Sequence, residues 1–120
     1  MISEHPLLSI VTGHWDRPGP LDRLVQSIGR TVRCSWELLI VDCSGVPARP
    51  EQWPDWRDRI SIVRDWPKTT MALAYNKGFR AALGEWVCWL NDDVEVLGDT
   101  LDRSVRWMID HPEIGMGALY

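Results

Sequence analysis

The chain has 120 residues, enough for one domain with a real hydrophobic core. Hydrophobic residues make up 45% and charged residues 25%, and the net charge of -4 comes from interspersed acids and bases, so no basic run offers a nucleic-acid backbone a footprint. No apolar run approaches the ~20 residues that cross a bilayer, so no transmembrane segment is expected, and the opening MISEHPLLSIV lacks the basic start and cleavage site of a signal peptide.

Residues 7–12, LLSIVT, form a short apolar run rich in β-branched side chains and predict a first strand ending at Gly13. RPGP breaks the chain, and LDRLVQSI places Leu21, Leu24, Val25 and Ile28 at helical spacing. WELLIV, residues 36–41, predicts a second buried strand, closed by DCSG. Residues 44–58 carry three prolines and no period and read as a loop, either functional or frayed, whose Trp53 and Trp56 serve packing or a partner surface. ISIV, residues 60–63, predicts a third strand.

Residues 69–83, TTMALAYNKGFRAAL, predict a helix with Met71, Ala74, Ala81 and Leu83 among its apolar positions. Gly78 weakens that helix by about 1 kcal/mol relative to Ala and invites a reason, of which close backbone packing is the plainest. WVCWL, residues 86–90, reads as a fourth buried strand. DTLDRSVRWMIDH predicts a third helix with Leu101, Val105, Met108 and Ile109 on one face, and IGMGALY the start of a fifth strand. Cys34, Cys43 and Cys88 contain no CxxC pair, so they read as thiols of a reducing compartment, and a cytoplasmic location is the expectation.

Strands alternating with helices, each strand a continuous apolar run, predict an α/β fold: a Rossmann-like, mostly parallel sheet with helices on both faces. In such sheets ligands bind beyond the carboxyl ends of the strands. Here those ends are all polar: Gly13-His14-Trp15-Asp16, Asp42-Cys43-Ser44, Arg64-Asp65 and Asn91-Asp92-Asp93.

Two adjacent carboxylates after an apolar strand repel each other and call for a positive partner. Asn91, Asp92 and Asp93 therefore read as a divalent-metal site bridging nucleotide phosphates, with Mg2+ or Mn2+ favoured by hard oxygen donors; the plain alternative is an Asx turn or helix cap. Asp42 can accept hydrogen bonds from a base or ribose, or simply close a turn. Trp15 can stack on a base and Arg17 can meet phosphate as a fork, or Trp15 packs a loop and Asp16 pairs with Arg17 at the surface. His14 has no partner histidine at ligand spacing. Asn76 lies mid-helix, where a polar side chain facing a nucleotide would account for it.

LSIVTGHWDRPGPLDRLVQSI, ELLIVDCSG and MALAYNKGFRAALGEWVCWLNDDVEV, in that order, resemble family 2 glycosyltransferases across essentially all of residues 7–120. The resemblance implies a GT-A fold, of which this chain would be the nucleotide-sugar-binding portion, with the acceptor-binding portion beyond Tyr120. It implies inverting, metal-dependent transfer of a sugar from a nucleotide-diphosphate donor to an acceptor sugar or other hydroxyl compound. Carried over, Gly13, His14, Trp15, Asp16 and Arg17 would line the base and ribose with Asp42 and Ser44. Asn76, Asn91 and Asp92 would reach the ribose or sugar, and Asp93, with Asp92, would ligate the metal in a DXD-like motif. The general base is unknown and expected beyond Tyr120, so the 120-residue chain alone should be inactive. Apolar surface left by a missing half would favour a homodimer.

The departures are Gly13 and His14, where the family carries Pro and Thr, and Lys68-Thr69-Thr70 in place of an Asn-Leu-Gly turn. A non-catalytic nucleotide-binding or interaction module is the alternative. A dehydrogenase would carry G-x-G-x-x-G after the first strand and a P-loop enzyme G-x-x-x-x-G-K-[ST]; neither is present.

Overall fold

The computed structural model describes residues 5–119. Four strands, β1 (Leu8–His14), β2 (Trp36–Asp42), β3 (Ile60–Arg64) and β4 (Trp86–Asn91), form one sheet in the order β3-β2-β1-β4. All three pairings are parallel. Helices α1 (Pro18–Thr31), α2 (Met71–Ala81) and α3 (Thr100–Asp110) cover it from both sides. The chain steps outward from β1 to β2 to β3, then crosses back to β4 on the far side of β1. Right-handed crossovers require that reversal to place α1 and α2 on opposite faces. The reversal opens a crevice between the carboxyl ends of β1 and β4.

β1 and β2 are the central strands and are apolar on both faces, as continuous runs demand. Leu8, Ile10, Leu38 and Ile40 meet α1 and α3, whereas Val11, Leu39 and Val41 meet α2. In α1, Leu21, Leu24, Val25 and Ile28 are all buried, as their spacing predicts, each contributing about 1.5–3 kcal/mol relative to exposure. Both strands extend one or two residues past their apolar runs, so His14 and Asp42 become ladder partners at the sheet's rim.

Four expectations are corrected. The α2 face turned to the sheet is Ala74 and Gly78, with Tyr75 and Phe79 at its margins, while Met71, Ala81 and Leu83 are exposed. A Cβ on Gly78 would sit 2.5 Å from Val11 Cγ1 and 2.8 Å from Val41 Cγ2, so close helix-to-sheet approach selects the smallest residues and rotates the larger ones outward. β4 is an edge strand rather than a doubly buried one. Its burial alternates, with Trp86, Cys88 and Leu90 packed against the main core and Val87 and Trp89 exposed. Residues 114–119 form no strand; Met116 is 73% exposed, and without a ladder partner or a face to bury, an extended segment has nothing to hold it. Tyr120 lies outside the described residues. On α3, Leu101 and Val105 are buried but Ile109 is exposed, a narrower face than the spacing predicts.

Residues 44–58 are not frayed, and Trp53 and Trp56 serve packing. Two short 3-10 turns, Pro50–Gln52 and Arg57–Arg59, fold the segment back on α1. Trp53 is buried and donates its indole N–H to Asp22 Oδ1 at 2.9 Å, and the Trp56 ring covers Gly29 so closely that no Cβ could fit there. At the opposite end of the sheet, buried Glu37 accepts from Ser9 Oγ at 2.5 Å and from the Leu83 amide at 2.6 Å, tying the turn before β4 to the two central strands.

Candidate functional site

The polar strand ends converge on one rim. His14, Asp42, Ser44, Asp65 and Asp92 are each no more than 5% exposed there, a density of buried polar groups found nowhere else in the molecule's described part. Buried polar groups must be satisfied, and their partners define the site.

At the crevice between β1 and β4, Asp92 is the centre. Its Oδ2 lies 3.1 Å from His14 Nδ1, and its Oδ1 accepts from Arg17 Nη2 at 2.5 Å. Asp93 is half exposed, with Oδ2 3.7 Å from Arg17 Nη1. The guanidinium fork therefore spans both carboxylates. This answers the repulsion between adjacent acids, and it stands in place of the Asp16–Arg17 surface pair that the sequence offered as an alternative. Arg17 is itself half exposed and precedes α1, and among the described residues its side chain makes no other hydrogen bond or ion pair.

Asp16 has φ of 53°, a left-handed conformation that Asp tolerates better than most residues. Its amide donates to Ser44 Oγ at 2.8 Å, linking the β1 and β2 loops. Gly13 lets the chain pass the Tyr75 ring, which a Cβ would meet at 3.2 Å, while the Tyr75 hydroxyl donates to the Leu90 carbonyl at 3.1 Å. Trp15 is exposed, with Lys68 Nζ 4.0 Å from its ring centroid.

Asp42 is fully buried. Oδ1 accepts from the Ser44 amide at 2.8 Å and Oδ2 from the Ala48 amide at 2.7 Å, and Arg64 Nη1 stands 3.6 Å away. The carboxylate thus shapes the loop that follows β2. A cleft of about 310 Å³ opens beside that loop, lined by His14, Asp16, Ser44, Val46, Gln52 and Trp53 among others.

Asp65 escaped the site reading of the sequence, except as a polar strand end. It is fully buried and receives Lys77 Nζ at 2.5 Å and Thr69 Oγ1 at 2.6 Å, which fixes the β3–α2 loop that carries Trp66 and Lys68. Lys77 was the available signal: a lysine beside the helix glycine, within one loop and two turns of a strand-end aspartate. The Lys77 and Thr69 hydrogen bonds hold the Asp65 carboxyl well below its ordinary 3.8, against the opposing effect of burial. Stability from this group is thus present above about pH 4 and lost as pH falls further, because the unfolded chain takes up the proton first. Asp65→Asn is expected to be less stable than the parent at pH 7, with the gap closing below about pH 4 in urea melts; a gap independent of pH would contradict this role.

Burial raises the Cys43 thiol, reinforced by Asp65, and the thiol donates to Asp65 Oδ2 at 3.7 Å. Burial also pushes Cys34 and Cys88 up to about 11. All three cysteines are free, and thiols raised in this way are poor nucleophiles at neutral pH.

Among the described residues no group of three or more His, Cys, Asp or Glu side chains could enclose a metal. Asp92 and Asp93 offer two adjacent hard oxygen donors, one of them half exposed. That set fits an ion such as Mg2+ or Mn2+, which keeps several waters and takes one or two carboxylates plus substrate phosphates. Of the residues singled out in the sequence, Gly13, His14, Arg17, Asp42, Ser44, Asn91, Asp92 and Asp93 lie together at the rim. Asn91, exposed, ends β4 opposite Gly13. Asn76 is exposed in the second turn of α2, and its side chain makes no hydrogen bond with another described residue.

The family model described as "Glycosyl transferase family 2" matches residues 9–119. Among curated proteins, "Putative teichuronic acid biosynthesis glycosyltransferase TuaG" of Bacillus subtilis is 27% identical over 92% of this chain and 45% of its own length. "Uncharacterized protein y4gI" of Sinorhizobium fredii is 32% identical over 92% of this chain and 13% of its own. The chain thus spans less than half the length of these relatives. Among solved structures, a mannosyltransferase from Pyrobaculum calidifontis in complex with GDP-Man and Mn2+ superposes with a TM-score of 0.72 at 20% identity, over 87% of this chain and 32% of that one. Residues 1–349 of TarS from S. aureus give 0.75 at 14% identity, over 94% and 38%. At those identities the likeness is one of fold. No helix of the described residues is long and apolar enough to cross a membrane.

Proposed function

Since this chain belongs to glycosyl transferase family 2, we propose that it is the donor-binding portion of an inverting, metal-dependent glycosyltransferase. The supporting observation is Asp92, buried at the β1–β4 switch point between His14 and Arg17, with Asp93 exposed beside it. A nucleotide sugar laid along this rim places its base against Trp15 and the loops after β1 and β2, and its diphosphate against Arg17 and the carboxylate pair. Asp92 and Asp93 hold the divalent ion, with Asn91 beside them, and that ion supplies positive charge to the departing diphosphate. Asp42 organises the loop after β2, whose Ser44, bonded to the amide of Asp16 in the β1 loop, lines the base cleft with it. Asn76, exposed on α2 beside Tyr75, is a further candidate for donor contact.

Inversion requires a base within hydrogen-bond reach of the acceptor hydroxyl. We assign that role to none of residues 5–119, so the chain alone is expected to bind donor without sustained transfer to an acceptor. The fold neighbour bound to Mn2+ supports the choice of ion to test first.

A ligand that binds only the folded state raises its melting temperature. Uridine and guanosine diphosphates are expected to raise the melting temperature of the chain with Mn2+ present and much less in EDTA. A shift equal in both conditions would remove the metal from the reading, and no shift with any nucleoside diphosphate would leave a non-catalytic module as the better description.

A further inference from the structure

Asp92 has no free carboxylate oxygen in this structure. One oxygen is bonded to His14 and the other to Arg17, whose second nitrogen reaches Asp93. A divalent ion cannot approach the pair without displacing the guanidinium or sharing the carboxylates with it at the cost of like-charge repulsion. Arg17 can leave readily. Its side chain is about half exposed, it contributes nothing to the core, and it lies before the first turn of α1. A guanidinium also matches phosphate as well as it matches carboxylate, so a diphosphate arriving at this rim offers it an equivalent partner.

We infer that Arg17 is a tethered counter-cation of the Asp92–Asp93 pair, which shuts out divalent metal until a donor's diphosphate draws it away. This inference rests on the proposed donor site. It adds an order to binding: nucleotide and metal enter together, and metal alone binds poorly. The arginine keeps two vicinal carboxylates neutralised in the empty site, and it transfers its charge to the phosphates when the metal takes its place.

The test measures Mn2+ binding to the nucleotide-free chain by electron paramagnetic resonance, comparing the parent with Arg17→Gln. The variant is expected to bind Mn2+ about tenfold more tightly, the size of effect that removing one neighbouring like charge produces. With saturating uridine diphosphate the advantage should vanish or reverse, because the variant lacks the guanidinium that the diphosphate would engage. Equal or weaker Mn2+ binding by the nucleotide-free variant overturns the inference, as does failure of the variant to bind Mn2+ at all. Arg17→Lys serves if the glutamine variant does not fold: a lysine carries the charge but cannot fork across two carboxylates, so about threefold tighter Mn2+ binding is expected, and unchanged binding overturns the inference. The two readings fail separately. A parent that shows the Mn2+-dependent nucleotide shift while Arg17→Gln gains no affinity for Mn2+ refutes the gate alone. A parent without that shift, beside a variant that gains Mn2+ affinity, refutes the donor site alone.

Discussion

Asp93→Asn is expected to lower Mn2+-dependent affinity for a nucleoside diphosphate by at least about tenfold, a loss that isothermal titration with and without EDTA would register. Asparagine keeps the shape and one neutral oxygen but removes the charge that a hard cation requires. Asp93 suits this experiment better than Asp92. It is half exposed, and among the described residues its side chain has no polar partner besides Arg17 at 3.7 Å, so the variant should keep its stability in EDTA within about 0.5 kcal/mol. Asp92 is buried and bonded to both His14 and Arg17, so changing it disturbs the rim's geometry together with any metal. Unaltered metal dependence in Asp93→Asn would mean the cation is held elsewhere, and the proposed site would have to be abandoned.

Gly78→Ala sets two effects against each other. Intrinsic helix propensity favours alanine by about 1 kcal/mol. Packing opposes it: the new Cβ would lie 2.5 Å from Val11 Cγ1 and 2.8 Å from Val41 Cγ2, on the two central strands, where neither neighbour can retreat through a buried layer. Overpacking of this kind costs about 1–3 kcal/mol, and two such contacts put it at the upper end. A net loss of about 2 kcal/mol is expected, or about 8 °C in melting temperature for a domain of this size. The displacement would also reach the site, because α2 carries Lys77 to Asp65 and Tyr75 against Gly13. Unchanged or increased stability would show that α2 can shift away from the sheet without cost, and that propensity alone governs this position.

Four strands, three helices and the parallel character of the sheet are legible from residues alone. Continuous apolar runs such as WELLIV only make sense between two covered faces, and the α1 positions repeat at helical spacing. The rim was legible for a related reason: polar residues directly after apolar strands must emerge where the strands end. The failures share a cause too. WVCWL reads like WELLIV, but a run of apolar residues does not state which strands will flank it, and in this sheet β4 is at the edge. The apolar residues of α2 outnumber those its face uses, because two small ones allow the backbone itself to make the contact.

By itself, the sequence determined the α/β class, the order of elements and the set of strand-end residues available for chemistry, since these follow from local periodicity and hydrophobic burial along the chain. Only the tertiary structure decided the pairings: that Arg17 answers Asp92 and Asp93 rather than Asp16, that Lys77 answers Asp65, and that Asp42 spends its oxygens on the loop after β2. Partners such as Arg17 and Asp92 are 75 residues apart along the chain. Their contact depends on the crossover that returns β4 to the side of β1, a consequence of handedness and packing that no local stretch of residues encodes.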